Sequence, residues 1–142
     1  MKNTYRTANE ANHDRFLIGR LLSALNASPS TLRRDTCGLW ILQGKSGYCS
    51  TWGDGRTYHL IVVPPSEIST QQWAHHKRRL GFAELTQDGD AEGCFRLHDL
   101  PTPEEAKIVR EIVGLRKQVE FSPADLARRR EWAGRYKRRL EA

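Results

Sequence analysis

The sequence predicts a single α+β domain, built as a mostly antiparallel sheet of about five strands with covering helices and a basic C-terminal helix. Three observations carry this expectation. The 142 residues suit one domain. Apolar residues recur first at helical and then at sheet-like spacing. Short glycine-bearing turns separate the sheet-like stretches, as antiparallel neighbours require. The expected division is an α+β core over residues 1–121 and a basic helix over residues 122–142, packed on the same domain.

The elements follow in chain order. Phe16, Leu17, Leu21, Ala24 and Leu25 recur at steps of three and four and predict an amphipathic helix, which Asn26 to Ser30, with Pro29, brings to an end. Leu39 to Leu42, Tyr48 to Trp52 and Tyr58 to Val63 are rich in aromatic and branched residues and predict three strands, divided at Gly44 to Gly47 and at Gly53 to Gly55. Ser69 can cap a short helix to about Leu80, with Trp73 and Leu80 inward and Gly81 closing it. Phe82 to Gln87 and Gly93 to Leu97 flank an acidic, glycine-bearing loop and predict a hairpin. Thr102-Pro103-Glu104-Glu105 is the strongest local signal. Threonine accepts from the free amides of a first helical turn, proline needs no amide there, and Glu105 reaches back to complete the box. Ala106, Val109, Ile112 and Val113 then form a buried stripe that Gly114 ends, and Leu115 to Phe121 are a candidate hinge. Ser122-Pro123-Ala124-Asp125 repeats the start signal for a last helix reaching nearly to Ala142.

With 38% hydrophobic and 28% charged residues, the chain is neither collagen-like, membrane-spanning nor wholly disordered. Cys37, Cys49 and Cys94 have no short-spaced pairing, so reduced separate thiols are expected. The polar start from Met1 to Asp14 lacks the apolar core of a secretory signal, and a cytoplasmic protein with no membrane contact is expected.

Charge is unevenly placed. The net +6 comes from 23 basic and 17 acidic residues, yet residues 1–105 hold 12 of each, so the whole excess lies in the last quarter. Such a local positive potential attracts polyanions; a merely solvated basic helix is the alternative. On a helical wheel Leu126, Ala133 and Leu140 fall within about 40° of one another, a narrow seam flanked by Tyr136 and Trp132 and interrupted by Arg129. Arg128, Arg135, Arg138 and Arg139 occupy the opposite face and Arg130 and Lys137 the flank, where guanidinium forks suit phosphate. Lys77, Arg78 and Arg79, following His75 and His76, form a second basic cluster. Trp132 and Tyr136 can stack on unpaired bases. Aromatics at helical spacing more often belong to a core, so packing of both rings against the domain is the expectation.

Catalytic signals are weaker. Asp54 in Trp52-Gly53-Asp54-Gly55, and Asp88, Asp90 and Glu92 in the hairpin loop, put carboxylates on turns where a hard cation can bind, although Asp-Gly is also an ordinary turn pair. Cys94 and His98 share one face of a strand but lie about 13 Å apart there, too far for one zinc ion. His59 reads as a sheet-surface histidine. No nucleophile elbow, phosphate-cradling loop or zinc-protease motif is present, and no cofactor is implied.

Trp52-Gly53-Asp54-Gly55, with the run from Thr86-Gln87-Asp88-Gly89-Asp90 through Glu92-Gly93-Cys94 to Leu100-Pro101-Thr102-Pro103, resembles segments of small uncharacterised bacterial proteins. The likeness covers about residues 38–117 and implies a shared turn-rich fold, with no activity to carry over.

The leading expectation is a small non-enzymatic, regulatory nucleic-acid-binding protein that meets DNA or RNA through Lys77, Arg78, Arg79, Arg128, Arg130, Arg135, Lys137, Arg138 and Arg139. Two rivals stand beside it. One is an interaction module or inhibitor whose last helix docks on a protein partner or pairs with its twin. The other is a metal-dependent hydrolase using Asp54, Asp88, Asp90 or Glu92.

Overall fold

The computed structural model describes Tyr5 and residues 7–141, with side chains described as far as residue 139. Its first helix, α1 (Ala8–Ala24), starts where the Thr7 hydroxyl accepts the Glu10 amide at 3.0 Å. Leu17, Ile18, Leu21 and the following Leu25 are buried, one stripe at three- and four-residue steps. Phe16, expected in that stripe, is 63% exposed because it sits one position off the buried row. Asn26, with φ +50°, turns the chain out of the helix in the left-handed region that asparagine tolerates.

Six strands follow where about five were expected: β1 (Leu32–Arg34), β2 (Trp40–Gly44), β3 (Gly47–Thr51), β4 (Tyr58–Val62), β5 (Glu84–Asp88) and β6 (Gly93–Leu97). They form one antiparallel sheet in the order β1-β2-β3-β4-β6-β5. The extra strand is β1, whose Leu-Arg-Arg carries no alternation of its own; pairing with β2 makes it a strand.

Register builds the core. Leu42 lies opposite Cys49, Cys49 opposite Leu60 and Leu60 opposite Phe95, a row across four strands, all of it fully or nearly fully buried. On that row pack α1, α2 (Thr70–Arg79) through Trp73, and α3 (Pro103–Val113) through Ala106, Val109, Ile112 and Val113. The alternate positions, including Tyr48, His59, Cys94 and Arg96, fall on the other face of the sheet. The β2–β3 turn is clamped against α3: a Cβ on Gly44 would lie 2.2 Å from the Val113 carbonyl oxygen.

Helix starts behave as their sequences predict. Ser69 and Gln72 form a reciprocal box at α2, and Thr102 and Glu105 form another at α3, with Pro103 first and Gly114 at φ +78° ending the helix. The candidate hinge at 115–121 is tied down over its first half. Ser28 donates its amide to the Arg116 carbonyl at 2.7 Å, Gln118 donates to the Asn26 carbonyl at 2.8 Å, and Leu115 is buried. The chain leaves these ties only after Gln118, and α4 (Pro123–Glu141) completes the fold.

The α2 helix also carries an acid-sensitive group. His76 Nδ1 is buried with no hydrogen-bond partner among the described residues. Burial, then the neighbouring His75 and Arg79, hold this imidazole below its ordinary 6.5, and burial does the same to His59. A histidine whose folded pKa is depressed protonates first in the unfolded chain. Its contribution to stability is therefore complete above about 6.5 and declines as pH falls through that unfolded value. Urea unfolding is expected to show a lower midpoint near pH 5.5 than near pH 7.5, and H76Q to shrink the difference. Equal wild-type midpoints would dissociate these histidines from acid sensitivity.

Candidate nucleic-acid interface

The last helix begins at a built cap. Ser122 Oγ accepts the Asp125 amide at 3.2 Å and donates to the Asp125 carboxylate at 2.9 Å, with Pro123 at the first helical position. That hydrogen bond, then the Arg128 guanidinium, hold the Asp125 carboxyl below its ordinary range. From this start the chain runs 19 helical residues in which none of the described side chains is buried.

The basic residues of α4 are accordingly exposed. Arg128 pairs with Asp125 and Arg135 with Glu131, one turn away along the helix. The Arg129 guanidinium lies 3.8 Å from the centre of the Phe121 ring. Arg130, Lys137, Arg138 and Arg139 have no carboxylate partner among the described residues.

The aromatic residues overturn their expected placement. Trp132 is 68% and Tyr136 54% exposed, so neither packs against the domain. The rings stack on each other with centroids 5.6 Å apart and planes 3° from parallel. Leu126 in the apolar seam is 41% exposed, and the Leu140 side chain lies outside the described residues. The four-residue spacing of the rings foretold that they share a face. It held no information on what that face meets.

The middle cluster divides. Lys77 donates to the Asp88 carboxylate at 3.0 Å, and Arg79 pairs with Glu111, so these two tie α2 to β5 and α3. Arg78 is exposed and has no carboxylate partner among the described residues. The sequence could not separate these roles, because the partners stand 11 and 32 residues away.

Two of the turn carboxylates, Asp54 and Asp88, act within the fold. Asp54 accepts the Arg56 and Thr57 amides at 2.9 and 2.8 Å, the Thr57 hydroxyl at 2.8 Å and the Arg96 guanidinium at 2.9 Å. The two amides, above all that of Thr57, hold its carboxyl well below the usual range. Asp88 accepts the Trp73 indole N–H at 2.9 Å besides Lys77. Cys94 meets Gln87, His98 pairs with Glu84, and burial pushes the Cys49 thiol up to about 12. Among the described residues no three His, Cys, Asp or Glu side chains converge on a metal position.

One feature was not legible in the sequence. A cavity of about 580 Å³ is lined by Tyr5, His13, Asp14, Trp40, Thr51 and Trp52 among others. Inside it Asp14 accepts the hydroxyls of Tyr5 and Thr51, while the Trp40 amide donates to the Tyr5 oxygen at 2.9 Å. Burial and the Asp14 bond raise the Tyr5 phenol to about 12. These residues come from α1, the chain before it, and two strands, and no local pattern links them. Comparison with protein-family models, with curated proteins and with solved structures finds no match to this chain.

Proposed function

We propose that this protein binds nucleic acid, DNA or RNA, through α4, with arginine and lysine side chains gripping phosphate. The observation that supports this reading most is a 19-residue helix with no buried described side chain, whose seven basic residues are all exposed. The pairs at Arg128 and Arg135 do not remove those groups. Exposed pairs one turn apart contribute little against solvent, less than a charge-assisted bond to phosphate returns. A cytoplasmic setting, where the free thiols stay reduced, fits this role.

Fluorescence anisotropy of the full chain against labelled DNA and RNA tests the reading. Affinity is expected to fall steeply from low to physiological salt, and the absence of binding at low salt would sink it. Ending the chain at residue 121 is expected to abolish binding while shifting core stability by no more than about 0.5 kcal/mol, since the removed helix buries no described side chain. A larger loss of stability would make α4 part of the core.

One observation favours a second reading, in which α4 docks on a protein partner or pairs with a second copy. Leu126, Trp132 and Tyr136 leave an apolar strip uncovered. A dimer in light scattering that disappears with α4 would favour it. The seven basic residues of α4 against Asp125, Glu131 and Glu141 weigh against self-pairing, since two such helices repel.

A further inference from the structure

We propose that the preferred ligand of α4 is single-stranded, with unpaired bases stacking on Trp132 and Tyr136; this rests on the nucleic-acid reading above and narrows it. The rings are 68% and 54% exposed and nearly parallel, 3° apart. Being stacked on each other, each ring covers one face of its neighbour and keeps its other face for a further flat partner. Bases present such a partner only where they are unpaired, because a duplex turns its stacked faces inward.

Charge places the backbone of the strand. At 100° per residue, Arg128, Arg135 and Arg139 lie within about 40–80° of the midpoint between the two rings, and Arg129 about 40° to the other side. Arg130, Lys137 and Arg138 lie about 120–140° away, on the far side of the helix. A strand seated on the aromatic pair thus has three guanidinium groups along one edge and Arg129, which lies over the Phe121 ring, on the other. The two free faces point away from each other along the stack, so the bases that take them flank the ring pair and are not adjacent in the strand. Arg128 and Arg135 exchange their exposed carboxylate partners for phosphate.

The other tryptophans are placed differently. Trp73 is buried, Arg96 covers Trp52 at 4.6 Å, and Arg15 and Arg34 lie over Trp40 at 5.2 and 4.9 Å. At 68% exposed, against 37% for Trp52, Trp132 is the most open of the four indoles, and its emission reports on a stacked base.

The test titrates the full chain with oligothymidylate and oligouridylate 20-mers and with a duplex of equal length, beside W132L/Y136L. Leucine keeps apolar bulk and helix propensity while removing the π-faces. Wild type is expected to prefer the single strands at least tenfold. W132L/Y136L is expected to weaken single-strand binding at least tenfold while changing duplex binding less than threefold. Quenching of indole emission on binding should be present in wild type and absent in that variant. Equal wild-type affinity for duplex and single strand overturns the proposal and leaves α4 as a phosphate-gripping helix. Undiminished single-strand binding by W132L/Y136L, or an equal loss on both ligands, overturns it likewise. No binding of any nucleic acid by wild type removes the underlying reading as well.

Discussion

Replacing Arg128, Arg135 and Arg139 together by alanine is expected to weaken single-strand binding about a hundredfold near 0.1 M salt. The same loss of three charges at Arg130, Lys137 and Arg138 should weaken it less than tenfold. Counterion release sets the first figure. Each phosphate contact on a single strand contributes about 0.7 to the salt slope, so three lost contacts reduce it by about 2.1, which near 0.1 M is a factor of about a hundred. Geometry sets the contrast, since only the first three border the aromatic pair while the second three face away. Alanine is the best helix former, so neither triple variant loses binding by melting α4. D125N/E131Q supplies the opposite arm: freeing Arg128 and Arg135 from their neighbours should tighten binding severalfold. Anisotropy titrations from low to physiological salt measure all three. Equal losses in the two triple variants would mean that net charge alone attracts the ligand and that no strand lies along the rings.

What the sequence disclosed and withheld follows the range of the interactions involved. The box of Thr102 and Glu105, the cap at Ser69 and the left-handed Gly114 are settled within four residues, and all were legible. The strand β1 was not, because only its pairing with Leu42, Ile41 and Trp40 defines it. The same distinction divides the basic residues. Lys77 and Arg79 look like neighbours in a cationic run, yet Asp88 and Glu111 claim them from elements distant in sequence. On α4 the partners are local, at three and four residues, within the range that a helical wheel can read. Trp132 and Tyr136 were misplaced because periodicity encodes a shared face, while exposure depends on whether another element covers it. The chain has none there among the described residues, and the aromatic pair stays exposed.

Replacing Trp73 by alanine should destabilise the core by about 3–5 kcal/mol, the range for a buried large aromatic, while leaving nucleic-acid affinity of the folded protein unchanged. Trp73 is 2% exposed and meets Phe95 edge to face, with centroids 6.1 Å apart. A Cβ on Gly93 would come within 2.8 Å of the indole, so that glycine makes room for the ring. The indole N–H and Lys77 both reach Asp88 on β5, an edge strand whose five residues are all exposed. Loss of Trp73 thus opens a cavity and loosens an edge that has little other burial to hold it. W73F separates the two effects, since it restores most of the apolar contact and lacks the donor. It should recover the larger part of the loss, and the smaller remainder is the share of the indole N–H bond to the solvent-exposed Asp88 carboxylate. The Asp88 carboxyl is held low first by the Trp73 bond and then by Lys77. Its contribution is therefore present above its unfolded pKa near 4 and is lost as pH falls through the folded value, a decline that W73F should blunt. Unfolding midpoints measured at neutral and acid pH test each step. Because α4 contributes no described side chain to this core, binding measured well below the W73A midpoint should match wild type, and a parallel loss would mean that α4 depends on the sheet after all.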